Sequence, residues 1–250
     1  MAQVKTDAEI EKISRACRVA ADILGELKNS VKVGITTAEL EEIADGLFKK
    51  KRAIPAFKGY RGYRYATCLS VNEEVVHGLP GGRVLKNGDI IGVDVGAIVD
   101  GYYGDNAETF PVGKVTAAAK RLISATRNAL YKAIAEVKDG CHLGDVSFVI
   151  ESEAKKNGFS VVKDLYGHGV GATLHEDPLI PNFGERGTGI MLKAGMTLAI
   201  EPMLNIGGSA IKTLEDGWTI ITADSSLSAH FEHTILVTKG APKILTGRDR

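Results

Sequence analysis

The sequence predicts an α+β fold: a curved antiparallel sheet, helices on its convex face, and two related halves. Three observations predict it. Leu85-Lys86-Asn87-Gly88, followed by Asp94, reappears as Leu192-Lys193-Ala194-Gly195, followed at the same distance by Glu201. Val31-Lys32-Val33-Gly34 reappears as Val137-Lys138-Asp139-Gly140, and the two offsets, 107 residues (85 to 192) and 106 (31 to 137), nearly coincide. In each half, helical periodicity then gives way to strand signals. Leu-Lys-x-Gly is also a common helix-to-strand turn that can occur twice by chance, so the shared offset carries the argument for duplication. No Pro/Ser-rich linker separates the halves, which predicts a single domain over residues 1–250, with half-repeats at 7–114 and 115–240.

Taken in order, Thr6-Asp7-Ala8-Glu9 is a capping box, and Ile10, Ile13, Ala16, Ala20, Ile23, Leu24 and Leu27 follow at helical spacing. Thr36-Thr37-Ala38-Glu39 repeats the device ahead of Leu40, Ile43, Ala44, Leu47 and Phe48. Strand signals occupy residues 65–76, 88–99 and 101–112. The second half opens with a helix over 117–137, striped by Leu122, Ala125, Ala129, Leu130, Ala133, Ile134 and Val137. Asp145 then precedes a shorter helix ending at Asn157-Gly158. Strands are expected at 195–205, 218–222 and 230–238.

At 250 residues and 44% hydrophobic, the chain can bury a substantial core without disulfides or oligomerisation, so a monomer is expected. Lys plus Arg and Asp plus Glu are equal at 31, leaving no global field for DNA or an anionic membrane. The basic run Lys49-Lys50-Lys51-Arg52 ends a predicted helix, where the macrodipole favours cations. Cys17, Cys68 and Cys141 are odd in number and far apart, which argues against a disulfide framework or cysteine zinc site and fits a reducing cytoplasm. The N-terminus has no apolar signal core, and the most hydrophobic window, 90–99, is short and interrupted by Asp94, so no membrane span is expected.

In Ile91-Gly92-Val93-Asp94-Val95-Gly96, period-two alternation puts the aliphatic residues against the helices and Asp94 on the opposite face, with glycines leaving room for a ligand. An unpaired charge among valines is costly to bury, so Asp94 asks for a partner. Asp100-Gly101 signals a reversal that brings Asp105 back beside Asp94, although Asp105 taken alone also reads as an ordinary exposed strand residue. Glu201, in Ala-Ile-Glu-Pro-Met, and Glu232, in His-Phe-Glu-His-Thr, are embedded in apolar strands with no other use for charge. With His168, in Gly-His-Gly-Val-Gly, they make a five-ligand, oxygen-dominated site able to hold two divalent ions roughly 3.5 to 4 Å apart.

Val-Asp94-Val-Gly, Gly-Asp105-Asn, Gly-His168-Gly-Val-Gly, Ile-Glu201-Pro-Met and Phe-Glu232-His-Thr together resemble the methionine aminopeptidase family over nearly the whole chain, in its short bacterial type I form. The resemblance implies the duplicated pita-bread fold, with Asp94 chelating one metal, Asp105 and Glu232 bridging both, and His168 and Glu201 completing the other. It implies that Glu201 shuttles a proton, that His175 stabilises the oxyanion and that His77 contacts the substrate backbone. It maps the methionine pocket onto Tyr60, Tyr63, Cys68, Leu174 and Trp218, with His77 and His175 also touching substrate. Leu174 stands where the family often has an aromatic residue and Tyr103 where histidine is common; both bear on pocket width. The implied reaction is removal of initiator methionine from nascent chains with a small second residue, using two ions of Co, Mn, Fe or Zn. Transient docking of the 49–52 run on ribosomal RNA would suit that work. A proline-directed peptidase of the same fold would normally carry an additional N-terminal domain that this chain has no length for. A non-catalytic binding protein on the fold would have lost ligands, whereas all five are here.

Overall fold

The computed structural model describes residues 3–247; the outermost residues of the expected domain, 1–2 and 248–250, lie outside the described residues. Helices α1 (Asp7–Ser30) and α2 (Thr37–Lys51) open the first half, and α3 (Ala117–Glu136) and α4 (Leu143–Lys156) the second. Thr6 and Thr36 form full capping boxes with Glu9 and Glu39, each cap side chain accepting from the third helical amide while the glutamate accepts from the cap's own amide. Thr116 caps α3 through the Ala119 amide. Helix α4 begins earlier than the sequence suggests: His142 is its cap, and Asp145 lies inside the first turn, accepting from the His142 amide at 3.0 Å.

The strands are β1 (Ile54–Pro55), β2 (Thr67–Val71), β3 (Glu74–Val76), β4 (Ile90–Val99), β5 (Tyr102–Pro111), β6 (Ser160–Val161), β7 (Tyr166–Gly169), β8 (Glu176–Pro181), β9 (Thr197–Ile200), β10 (Met203–Asn205), β11 (Ile211–Thr213), β12 (Ile220–Thr222), β13 (Ser228–His230), β14 (Glu232–Leu236) and β15 (Lys243–Ile244). The main antiparallel sheet runs β1-β4-β5-β14-β9-β7-β8, with β2 also on β4 and β15 also on β14. Two three-stranded sheets, β13-β10-β6 and β11-β12-β3, flank it.

The matched sequence segments make matched hydrogen bonds. Gly34 and Gly140, both at positive φ, donate at 2.8 Å to the carbonyls of Leu85 and Leu192. Gly88 and Gly195, also at positive φ, donate to Val112 and Val237 at 3.0 and 2.9 Å. These are turns that glycine enters without a Cβ penalty, which is why the repeat keeps its glycines while other positions drift.

Ile91, Val93 and Val95 of β4 join Ile23, Leu27, Leu40 and Phe48 of the helices in one core. Leu198, Ile200 and Ile235 of β9 and β14 join Leu122, Leu130 and Ile150 in the other. With the helices burying one face, alternation sends the remaining side chains to the opposite face.

Three expected strands are broken. The 65–76 run divides at Asn72, which takes φ +60, and β3 leaves for a different sheet. The 195–205 run divides at Glu201-Pro202, since proline has no amide to continue the ladder. The 230–238 run divides at Phe231. Trp218 and Thr219 precede β12 in a turn where both amides donate to Asp216.

Candidate metal centre

Asp100 and Gly101, at φ +50 and +77, form the two-residue turn between β4 and β5, setting the register Asp94↔Ala107 and Gly96↔Asp105. Directly opposed residues share a face, so Asp94 and Asp105 stand diagonally on one side. Ala107 opposes Glu232 of β14, and His233 opposes Ile200, so Glu201, one step beyond β9, comes beside Glu232. His168 opposes Ala199, two residues from Glu201 and therefore on its face. Register alone gathers all five expected residues.

Two triads have ligand atoms mutually within 4.8 Å: Asp105, His168 and Glu232, and Glu201, His230 and Glu232. Asp94 joins them through contact with Asp105. His168 Nε2 and His230 Nε2 lie 3.4 and 3.3 Å from the two oxygens of Glu201. His168 Nδ1 is 2.8 Å from the Gly169 carbonyl, which fixes Nδ1 as donor and turns the Nε2 lone pair into the cluster. His230 was not among the expected residues. The signal was present: it stands two positions before Glu232, and period two puts both on one face, although the break at Phe231 interrupts the strand between them.

Asp94 Oδ1, Asp105 Oδ1, Glu232 Oε1 and His230 Nε2 are buried without a hydrogen-bond partner. Burial and repulsion from neighbouring carboxylates push Asp94 and Glu232 well above the usual carboxylate range and Asp105 up to about 7, while burial, partly offset by His168, raises Glu201 to about 7. Like charges this close cannot all ionise without a cation, and so many buried lone pairs are costly without a Lewis acid. The donor set therefore fits hard or borderline divalent metals.

Above the cluster lies a cavity of about 220 Å³. Tyr60, Tyr63, Cys68, His77, Leu174, His175 and Trp218 all line it, together with Phe57, Arg61 and Tyr166, which were not anticipated. Tyr63 and Trp218 meet edge to face at 5.0 Å, and Cys68 is held protonated by burial. Tyr60 Oη is 2.7 Å from His175 Nδ1, and the His175 ring lies 4.3 Å from that of His168. Burial lowers His175 to about 3 and His77 to about 4, so both imidazoles are neutral. His77 takes φ +58, a conformation that non-glycine residues adopt where surroundings impose it.

Gly96 does a different job from the one expected, while a Cβ at Gly92 would make only ordinary contacts, from 3.7 Å. A Cβ at Gly96 would fall 2.7 Å from Phe57, so that space holds an aromatic wall. Cβ atoms at Gly167 and Gly169 would meet the carbonyls of Ala199 and Asp177 at 2.5 and 2.3 Å, so these glycines permit close strand approach beside His168.

Residues 11–239 match the model of metallopeptidase family M24. Methionine aminopeptidase 1 of Bacillus subtilis is 50% identical over 97% of this chain and 98% of its own length. Methionine aminopeptidase of Escherichia coli K12 is 43% identical over 98% and 94%. The crystal structure of methionine aminopeptidase from Thermotoga maritima superposes with a TM-score of 0.98 at 51% identity, covering 99% of this chain and all of that one. No helix among the described residues is long and apolar enough to cross a membrane. With its family model, its relatives and its acid-lined cavity in agreement, this chain belongs to metallopeptidase family M24, among the methionine aminopeptidases.

Proposed function

We propose that this enzyme hydrolyses the bond after an N-terminal methionine, preferring a small second residue, with Asp94, Asp105, His168, Glu201 and Glu232 holding two divalent ions. The observation that carries this is the convergence of partnerless buried carboxylate and imidazole atoms beneath an apolar, sulfur-tolerant pocket. Asp94, Asp105, His168, Glu201 and Glu232 are the residues that would hold these ions. When bound, the ions supply Lewis acidity that polarises the scissile carbonyl and acidifies a water.

Glu201, which lines the cavity beside His168, is placed to take the proton of the attacking water and pass it to the departing amine. His230, with Nε2 3.3 Å from Glu201 and in one triad with Glu201 and Glu232, adds a second imidazole beside that carboxylate. With Tyr60 Oη–H donating to Nδ1, the neutral His175 presents Nε2–H to the developing oxyanion. His77 contacts the substrate backbone from the other side. Tyr60, Tyr63, Cys68, Leu174 and Trp218 accept the unbranched thioether by shape and dispersion. The substrates are peptide and nascent-chain N-termini in the cytoplasm, met by a monomer; the 49–52 cationic helix end offers a transient ribosome contact. Mn, Fe, Co and Zn all suit the donors.

The test is chelator-stripped protein reloaded with each metal and given Met-Ala-Ser, Leu-Ala-Ser, norleucine-Ala-Ser, Met-Leu-Ser, Met-Pro-Ser and the dipeptide Leu-Pro. Metal-dependent release of methionine, fastest with alanine second, is expected. Preference for a branched first residue, or for Xaa-Pro dipeptides, would overturn the assignment.

A further inference from the structure

The segments leading into α1 and α3 are equivalent: Thr6 and Thr116 are their caps, and each segment lies against a Leu-Lys-x-Gly turn. A Cβ at Gly195 would meet Val4, and one at Gly88 would approach the Lys114 carbonyl. The segment before α1 belongs to the first half in sequence yet docks on the second, the Lys5 amide donating to the Gly195 carbonyl at 2.8 Å. One step before each cap the copies diverge. Val115 is buried in an apolar core, whereas Lys5 buries an ammonium group whose side chain is only 4% exposed.

That ammonium pairs with Glu176, itself 14% exposed, the residue after His175. Glu176 Oε1 also accepts from the Thr173 amide at 3.3 Å, and Thr173 Oγ1 donates to the His175 carbonyl at 3.2 Å. The turn is pinned further where Gly171 donates to Thr173 and accepts from Tyr103. A Cβ at Gly171 would lie 2.7 Å from Lys5 Nζ, so the turn leaves space for the lysine. Leu174 and His175, both facing the cavity, sit inside this turn.

We propose that Lys5 is a positioning residue that holds the 171–176 turn, and so fixes His175 and Leu174 above the metal cluster. It rests on the reading of His175 given above. One step before its own cap, the other half carries the apolar Val115 in place of a charge.

The experiment uses the full chain carrying Lys5→Met, Lys5→Arg, Lys5→Met/Glu176→Gln and His175→Ala, each loaded with Mn and given Met-Ala-Ser. Lys5→Met should lower kcat roughly 10- to 100-fold, the range a small displacement of a reacting group produces, with metal stoichiometry unchanged. Amide exchange should rise at 171–176 while α3 and β4 stay protected, and Lys5→Arg should recover most of the turnover. The double variant, which leaves no unpaired buried charge, should fold even if Lys5→Met does not, and should show the same kcat loss. Normal kcat in the double variant, with His175→Ala impaired, overturns the role of Lys5 alone. Normal kcat in His175→Ala overturns both readings. A drop in kcat with uniform exchange across the chain also overturns the proposal, because the effect would then be global destabilisation.

Discussion

The two halves share a scaffold and divide the chemistry unequally. The Gly88–Val112 and Gly195–Val237 hydrogen bonds align β5 with β14, and the central pair then repeats itself in detail. Asp105 bonds Thr234 Oγ1 through both its amide and carbonyl, at 3.2 and 2.8 Å; His230 bonds Thr109 Oγ1 in the same two ways, at 3.0 and 2.8 Å. Asp105 and His230 are thus structural mates, as are Asp94 and Glu201. Glu232 faces its own mate, Ala107, across the pseudo-two-fold axis. Carrying the alignment onto the neighbouring strands makes Ser70, opposite Gly92, the mate of His168, opposite Ala199. Backbone hydrogen bonds conserve geometry regardless of side chain, so duplication builds the floor of the site. Divergence at the paired positions then puts different side chains on the two sides of that floor: aspartate against histidine, and glutamate against alanine.

The sharpest way to break this comparison is at the axis. Glu232→Gln removes a charge shared by both candidate triads and should lower kcat/KM by at least about 10³-fold, with metal stoichiometry reduced. Ala107→Ser, on the mate, should change it by less than about 10-fold. Elemental analysis and methionine release measured on the same samples check both. Equal losses at the two positions would mean that this strand pair matters for packing, not for ligation.

Next come the two cavity imidazoles, one from each half. His175→Ala should lower kcat by about 10²- to 10³-fold with metal content intact, since the proposed donor would act where negative charge develops. His77→Ala should act through KM as well as kcat if its proposed contact with bound substrate holds. A pure KM effect at His175 would reverse the assignment of the two.

A smaller effect is expected at His230, the partner of Glu201 that corresponds to Asp105. His230→Asn should cost about 10- to 100-fold in kcat, against at least about 10³-fold for Asp105→Asn, because orienting a carboxylate is worth less than supplying one. Steady-state kinetics with matched metal loading decide the ranking.

How much of this could be read from residues alone follows the same division. The helices were legible because their apolar stripes and Thr-x-x-Glu boxes are local signals. Asp94 and Asp105 were legible because alternation and a two-residue turn fix a face and a register within one hairpin. The β7–β8 ribbon was not, since its glycines answer to carbonyls of distant strands. Nor was His230, whose face depends on how the chain resumes after the Phe231 break. Lys5 was invisible for the same reason: its partner lies 171 residues away.

Stripping the metal should expose the cost of the shared floor. Asp105 and Glu201 are raised to about 7 in the cation-free fold, so between the ordinary carboxylate value and 7 the folded state binds more protons than the unfolded one. The buried imidazoles His77, His175 and His230, lowered to about 4, 3 and 4, act in the opposite sense below the ordinary histidine value of 6.5. The acids' destabilisation of the apo protein should therefore be read as pH rises from about 6.5 through 7, and added Mn should reverse that slope by replacing protons with cations. Thermal melts across this window, with and without metal, measure it. An apo Tm that climbs towards pH 7 would show that the acids are balanced by something other than a cation.

The smallest expected effect lies far from the site, at the caps of α2 and α4, which the repeat places in equivalent positions. Thr36 Oγ1 accepts from the Glu39 amide at 3.1 Å, while Glu39 accepts from the Thr36 amide at 2.7 Å. At His142 only the return bond, from its amide to Asp145, is made. Thr36→Ala should therefore cost about 1 kcal/mol in denaturant unfolding, and His142→Ala less, since it loses only an exposed ring contact to the Gly189 carbonyl. The two should also separate in acid. Glu39 is held below its ordinary value by Thr36, backbone first and side chain second, whereas Asp145 owes its lowering first to the Gly187 amide. A depressed carboxylate stabilises above its ordinary pKa, and that contribution is lost as pH falls through the depressed value. Thr36→Ala should flatten this acid limb and His142→Ala should leave it unchanged. Equal flattening by both would show that the caps diverged in sequence while keeping the same electrostatic work.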